Sequence, residues 1–76
     1  MNYLNVKDFL KNECGATKMY CKVNYKPYKI MADLYFTISE EGIKKIKENE
    51  NYIENSMKDF SCNINKFNRV HIACTL

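Results

Sequence analysis

The sequence predicts an α+β domain in which two helices pack on one face of a three- to four-stranded, mainly antiparallel sheet, in the order α-β-β-α-β. Three observations predict it. Two stretches, Thr17 to Tyr25 and Lys29 to Ser39, alternate apolar and polar residues with a period of two. A longer stretch over residues 40 to 60 repeats its apolar residues at three- and four-residue steps. The chain ends on a third alternating run, Arg69 to Leu76.

A first helix is expected over residues 6 to 14. Asn5 followed by Asp8 forms an incomplete capping box, Leu4 and Phe9 stand at the two positions of a hydrophobic staple, and Val6, Phe9 and Leu10 make the buried stripe. Gly15 supplies the stop, because glycine enters the left-handed conformation that ends helices without a Cβ clash. In the strand that follows, Thr17, Met19, Cys21, Val23 and Tyr25 share the inward face, and Lys18, Tyr20, Lys22, Asn24 and Lys26 the outward one. Beyond Pro27, Ile30, Ala32, Leu34, Phe36 and Ile38 point in, and Lys29, Met31, Asp33, Tyr35 and Thr37 point out. A turn centred on Pro27 and Tyr28 makes a hairpin, placing Lys22 opposite Asp33 and Tyr20 opposite Tyr35.

Ser39 caps the second helix, and Glu40 and Glu41 put negative charge at the positive end of its dipole. Ile43, Ile46, Ile53, Met57 and Phe60 form its buried stripe, which predicts one helix over residues 40 to 60 with a weak point at Asn49-Glu50-Asn51. In the final strand Val70, Ile72, Cys74 and Leu76 face in, while Arg69, His71, Ala73 and Thr75 face out. Residues 61–68 read either as loop or as a short extra strand through Cys62 and Ile64. The plan resembles a ferredoxin-type βαββαβ unit without its first strand, a resemblance of architecture that implies no function.

A chain of 76 residues is one domain, residues 1–76, and is too small to bury more than about 60% of its unfolded surface. Its eleven lysines against one arginine, with abundant asparagine and isoleucine, read as the codon bias of an AT-rich genome such as that of a low-G+C bacterium or its phages. The start, MNYLNVKDFLKNE, has no basic segment leading into an apolar one, and nowhere do eighteen apolar residues run together. A cytoplasmic protein with no membrane partner is therefore expected. In that compartment Cys14, Cys21, Cys62 and Cys74 stay reduced, and Cys21 and Cys74 should be buried thiols, since both lie in the inward phase of strands. The apolar terminal strand ending in Leu76 also suggests a homodimer formed by pairing it with a second copy.

No catalytic residues and no cofactor are expected. Gly15 and Gly42 stand in no phosphate-cradling pattern, and no hydrolase motif surrounds His71, Cys62, Cys74 or any serine. A metal site is disfavoured too. The spacings Cys14-x6-Cys21 and Cys62-x8-His71-x2-Cys74 lack a CxxC knuckle, and strand parity puts His71 and Cys74 on opposite sides of the sheet.

The informative feature is the outward face of the sheet. It gathers the bases Lys18, Lys22, Lys26, Lys29 and Arg69 with Tyr20, Met31, Tyr35 and His71, and Asp33 is its one acid. Residues 40 to 59 hold six acids and four lysines, so the two layers carry opposite charge. Lys18, Tyr20, Lys22, Lys29, Met31, Tyr35, Arg69 and His71 are accordingly the expected partner-binding residues. The leading reading is a small non-enzymatic binder that inhibits a host protein or nucleoprotein complex stoichiometrically. In size and style the chain resembles the anti-CRISPR and other anti-defence proteins of phages and mobile elements. The alternative is a single-stranded DNA or RNA platform, in which lysines neutralise phosphates and rings stack on bases, although neither an RNP-like motif nor a GXXG loop is present. A polar outer face is also what any two-layer fold needs for solubility, and edge lysines discourage aggregation.

Overall fold

The computed structural model describes residues 2–76, folded as α1 (Asn2–Asn12), β1 (Thr17–Tyr25), β2 (Ile30–Thr37), α2 (Glu40–Glu48), α3 (Glu50–Ser56), β3 (Lys58–Ile64) and β4 (Arg69–Thr75). The strands make one antiparallel sheet in the order β1-β2-β4-β3. This is the ferredoxin-type strand arrangement with its first strand moved to the C-terminal end of the chain. The central place that the sequence left vacant is filled by β4.

The core lies between the sheet and the helices. Val6 and Leu10 of α1, Ile43 and Ile46 of α2 and Ile53 of α3 pack on Ala32, Leu34 and Phe36 of β2 and Val70, Ile72 and Cys74 of β4, all buried. Phe9 meets Tyr52 edge to face at 5.4 Å, joining α1 to α3.

The helices depart from expectation at their ends. Asn5 is not a cap, because α1 already runs through it; the stop at Gly15 stands, with φ of 72° and the Ala16 amide donating to the Leu10 carbonyl. Ser39 does cap α2, its hydroxyl accepting from the Gly42 amide at 3.2 Å. The expected single helix is two. Asn49 turns its side-chain amide back onto the Lys45 carbonyl at 2.8 Å and takes φ −113°, ψ 23°, which closes α2 and redirects the chain into α3. Helix ends at Ser56, so Met57 is buried from an extended backbone and Phe60 packs on the core from β3. The segment read as loop or short strand is thus the end of a seven-residue edge strand followed by a hairpin.

The β1–β2 register is the expected one: Tyr20 faces Tyr35, Lys22 faces Asp33, and the turn closes with Lys26 N–H donating to the Lys29 carbonyl at 2.9 Å. Each edge strand carries a bulge, between Thr17 and Tyr20 in β1 and between Lys58 and Ser61 in β3, with Lys18 and Asp59 both at φ 53°. The extra residue reverses the parity of Thr17, which lies opposite Thr37 on the open face and not inside. At the hairpin end the helices run out before the strands do. Val23, Tyr25 and Ile30, all expected inside, are 39%, 79% and 39% exposed.

Two assembly and thiol expectations change with the topology. Strand β4 is hydrogen-bonded to β2 on one side and β3 on the other, so it cannot pair with a second copy as its apolar pattern suggested. Cys74 is buried, whereas Cys21, on edge strand β1, is only half-buried. Burial pushes the Cys14, Cys62 and Cys74 thiols above their ordinary range, helped by Glu50 at Cys62 and by Asp33 at Cys74. These three thiols stay protonated, and so unreactive, at neutral pH. Titration with a thiol reagent at pH 7 should find Cys14 and Cys74 slow until the chain is denatured. Fast modification of Cys74 in the folded protein would mean that β4 is not central.

Candidate functional site

On the sheet face away from the helices, one row crosses all four strands: Tyr20 of β1, Tyr35 of β2, His71 of β4 and Asn63 of β3 are successive cross-strand partners. The rings stack on one another. Tyr20 and Tyr35 lie 5.2 Å apart at 27°, and Tyr35 and His71 lie 4.5 Å apart at 5°. These separations are close to the spacing of neighbouring strands, about 4.8 Å. Rings that close and that parallel cannot lie flat on the sheet; they stand upright, faces against each other and edges toward solvent. The row is a low wall.

Asp33 anchors the wall from the next row. His71 Nε2 is 2.8 Å from its Oδ1, and Asn24 Nδ2 donates to its Oδ2 at 2.7 Å. An ionised carboxylate only accepts, so the His71 proton on this bond sits on Nε2. Lys22 is the cross-strand neighbour of Asp33, as expected, yet both carboxylate oxygens are taken up by His71 and Asn24.

On the other side of the wall lies a half-open hollow of about 510 Å³. It is lined by Lys18, Tyr20, Tyr35, Thr37, Asn63, Asn65, Arg69 and His71, with Phe36, Ile64 and Val70 beneath. Two cations and no carboxylate line it. Lys18 and Arg69 come from strands remote in sequence, and the β1 bulge helps bring Lys18 here by re-aiming the chain at that point.

Five of the eight expected binding residues therefore share one hollow: Lys18, Tyr20, Tyr35, Arg69 and His71. Lys22 and Met31 belong to the same face but to rows beyond the wall, and Lys29 sits in the exposed hairpin turn. Sequence reasoning missed Asn63 and Asn65, because it leaves residues 61–68 open between a loop and a short strand and so assigns them no outward face. A signal was there. Asn65 and Asn68 flank the β3–β4 turn in the manner of turn residues: Asn65 Oδ1 accepts from the Phe67 and Arg69 amides, and Asn68 takes φ 59°.

Among the described residues no group of three or more His, Cys, Asp or Glu side chains is placed to hold a metal ion, and His71 and Cys74 lie on opposite sides of the sheet as parity requires. No helix among them is long and apolar enough to cross a membrane. No known protein family, curated protein or solved structure matches the chain.

Proposed function

We propose that this chain is a non-enzymatic binding protein that docks the open face of its sheet against an acidic surface of a partner protein. The observation that carries this reading is the hollow, where Lys18 and Arg69 converge with no carboxylate among the lining residues. A one-to-one binder of this kind acts by occupying its partner's surface, as a small inhibitor of a host complex does, the anti-CRISPR kind included. The upright stack favours a protein over single-stranded nucleic acid. A stacking platform needs free ring faces, and here both faces of Tyr35 are covered, leaving only the two ends of the row for a base.

The test is a pull-down with the tagged chain, with and without nuclease. A protein partner retained after nuclease supports the reading, and a partner released by it supports the nucleic-acid alternative. Lys22→Glu combined with Arg69→Glu should weaken the retained complex about 10- to 100-fold at low salt and less at high salt, because exposed charges are screened within a Debye length. Tyr35→Ala should weaken it with little salt dependence, and also cost about 1 kcal/mol of stability by removing the middle ring of the stack. Full affinity in both variants would exclude the open face as the binding surface.

A further inference from the structure

We infer that the hollow is a transverse trough for a short extended acidic segment of the partner, with two carboxylates three residues apart, one held by Lys18 and one by Arg69. This inference rests on the open face being the binding surface, and it specifies the ligand of that face.

The register sets the trough's direction and length. Thr17 pairs with Thr37, Thr37 with Arg69, and the Asn65 amide donates to the Arg69 carbonyl at 3.0 Å, so a second row runs beside the ring wall from β1 across β2 and β4 to the residue that follows β3. Three strand spacings make the row about 14 Å long, the span of four or five extended residues. Lys18 and Arg69 belong to strands two spacings apart, about 10 Å. In a polyproline-type extended chain, side chains three residues apart return to the same side after about 9 Å, whereas a flat β-strand puts such a pair on opposite sides. Glu-x-x-Glu in the former conformation fits the two cations.

The walls agree with the charge. The upright rings of Tyr35 and His71 turn their edges outward, and the edge is the positive side of an aromatic quadrupole. Asn65 has its oxygen committed to the Phe67 and Arg69 amides, which leaves its NH₂ group as a donor. Asp33 is not among the lining residues; it is bonded to His71 and Asn24, one row beyond the rings. Asp59, whose carboxylate accepts from Thr75 Oγ1 at 2.9 Å at the far end of the face, is also absent from the lining, so neither acid meets an anionic guest in the hollow.

The experiment is a titration of the ¹⁵N-labelled full chain, followed by amide shifts. The probes are a proline-rich peptide carrying Glu-Pro-Pro-Glu, the same peptide with both glutamates replaced by glutamine, and a single-stranded oligothymidine. The diglutamate peptide should move the amides of Lys18, Thr37, Asn65 and Arg69 and bind at least about tenfold more tightly than the diglutamine peptide, since two charge-assisted contacts are lost. Lys18→Glu and Arg69→Glu should each abolish the preference, while Lys11→Glu, the same charge reversal at an exposed position of α1 in the helical layer, should leave it intact. The spectrum itself reports folding, and Lys18→Gln and Arg69→Gln stand in should a charge reversal unfold the chain. Equal binding of the two peptides, or an equal loss in Lys11→Glu, overturns the trough. If the Lys22 and Arg69 double variant still releases the pulled-down partner in that case, the open face survives as the binding surface and only its ligand is wrong. Oligothymidine shifting the same row more tightly than the diglutamate peptide overturns the inference in favour of nucleic acid.

Discussion

Gly42→Ala should destabilise the protein by about 2 to 3 kcal/mol, although the same change in an exposed helix normally stabilises by about 1. Gly42 lies in the first turn of α2 and is buried, where the helix comes up against the end of α1. A Cβ built there would overlap the Cys14 carbonyl oxygen and Ile38 Cγ1, and would come within 2.7 Å of Ile38 Cδ1. One of these neighbours is backbone and the other is a core side chain, so neither yields cheaply. A domain of this size has only about 3 to 5 kcal/mol to lose, so the variant should be close to unfolded at 37 °C. Gly15→Ala is the matched control. Nothing lies within 4 Å of its Cβ position, and its cost, about 1 kcal/mol, comes only from holding alanine at φ 72°. Urea unfolding of the two variants should rank them in that order; an unchanged or higher midpoint for Gly42→Ala would show that α2 does not close on α1 here.

The second large effect is expected at Ile72. It is fully buried on β4, opposite Leu34 on one side and Cys62 on the other, and truncation to alanine should cost about 3 to 5 kcal/mol through lost burial and the cavity left behind. Ile30→Ala makes the comparison informative. Ile30 has the same inward parity and the same side chain, but it sits where no helix covers the sheet, and its truncation should cost less than about 1 kcal/mol. Similar losses at the two positions would mean that the hairpin end is covered after all.

That comparison marks how far the sequence can be read. Period-two alternation gave the sides of β1, β2 and β4 correctly through most of their length, because side-chain direction in a strand is a local property of the backbone. The hairpin register was legible for a similar reason. Pro27 fixes the turn, and the turn fixes Tyr20 against Tyr35. Burial along those same strands was not legible, since it depends on where α1, α2 and α3 end in space. The strand alternative through Cys62 and Ile64 is the one realised, but the start of β3 is hidden by a competition between patterns. Met57 and Phe60 continue the helical spacing from Ile53, yet Asn49 breaks the helix and the chain is extended from Lys58 onward.

The site divides along the same line. Its basic, aromatic character and four of its members, Tyr20, Tyr35, Arg69 and His71, follow from parity alone, a local rule. That Tyr20, Tyr35 and His71 stack upright, that Asp33 is turned away by His71 and Asn24, and that Lys18 and Arg69 line one hollow needed the strand order β1-β2-β4-β3 and the bulge at Lys18. Strand order and bulges are decided by contacts between residues far apart in the chain. The sequence determined which side chains face outward, and the tertiary structure alone decided which of them are neighbours, because adjacency across a sheet is set by hydrogen bonding between strands that no local pattern records.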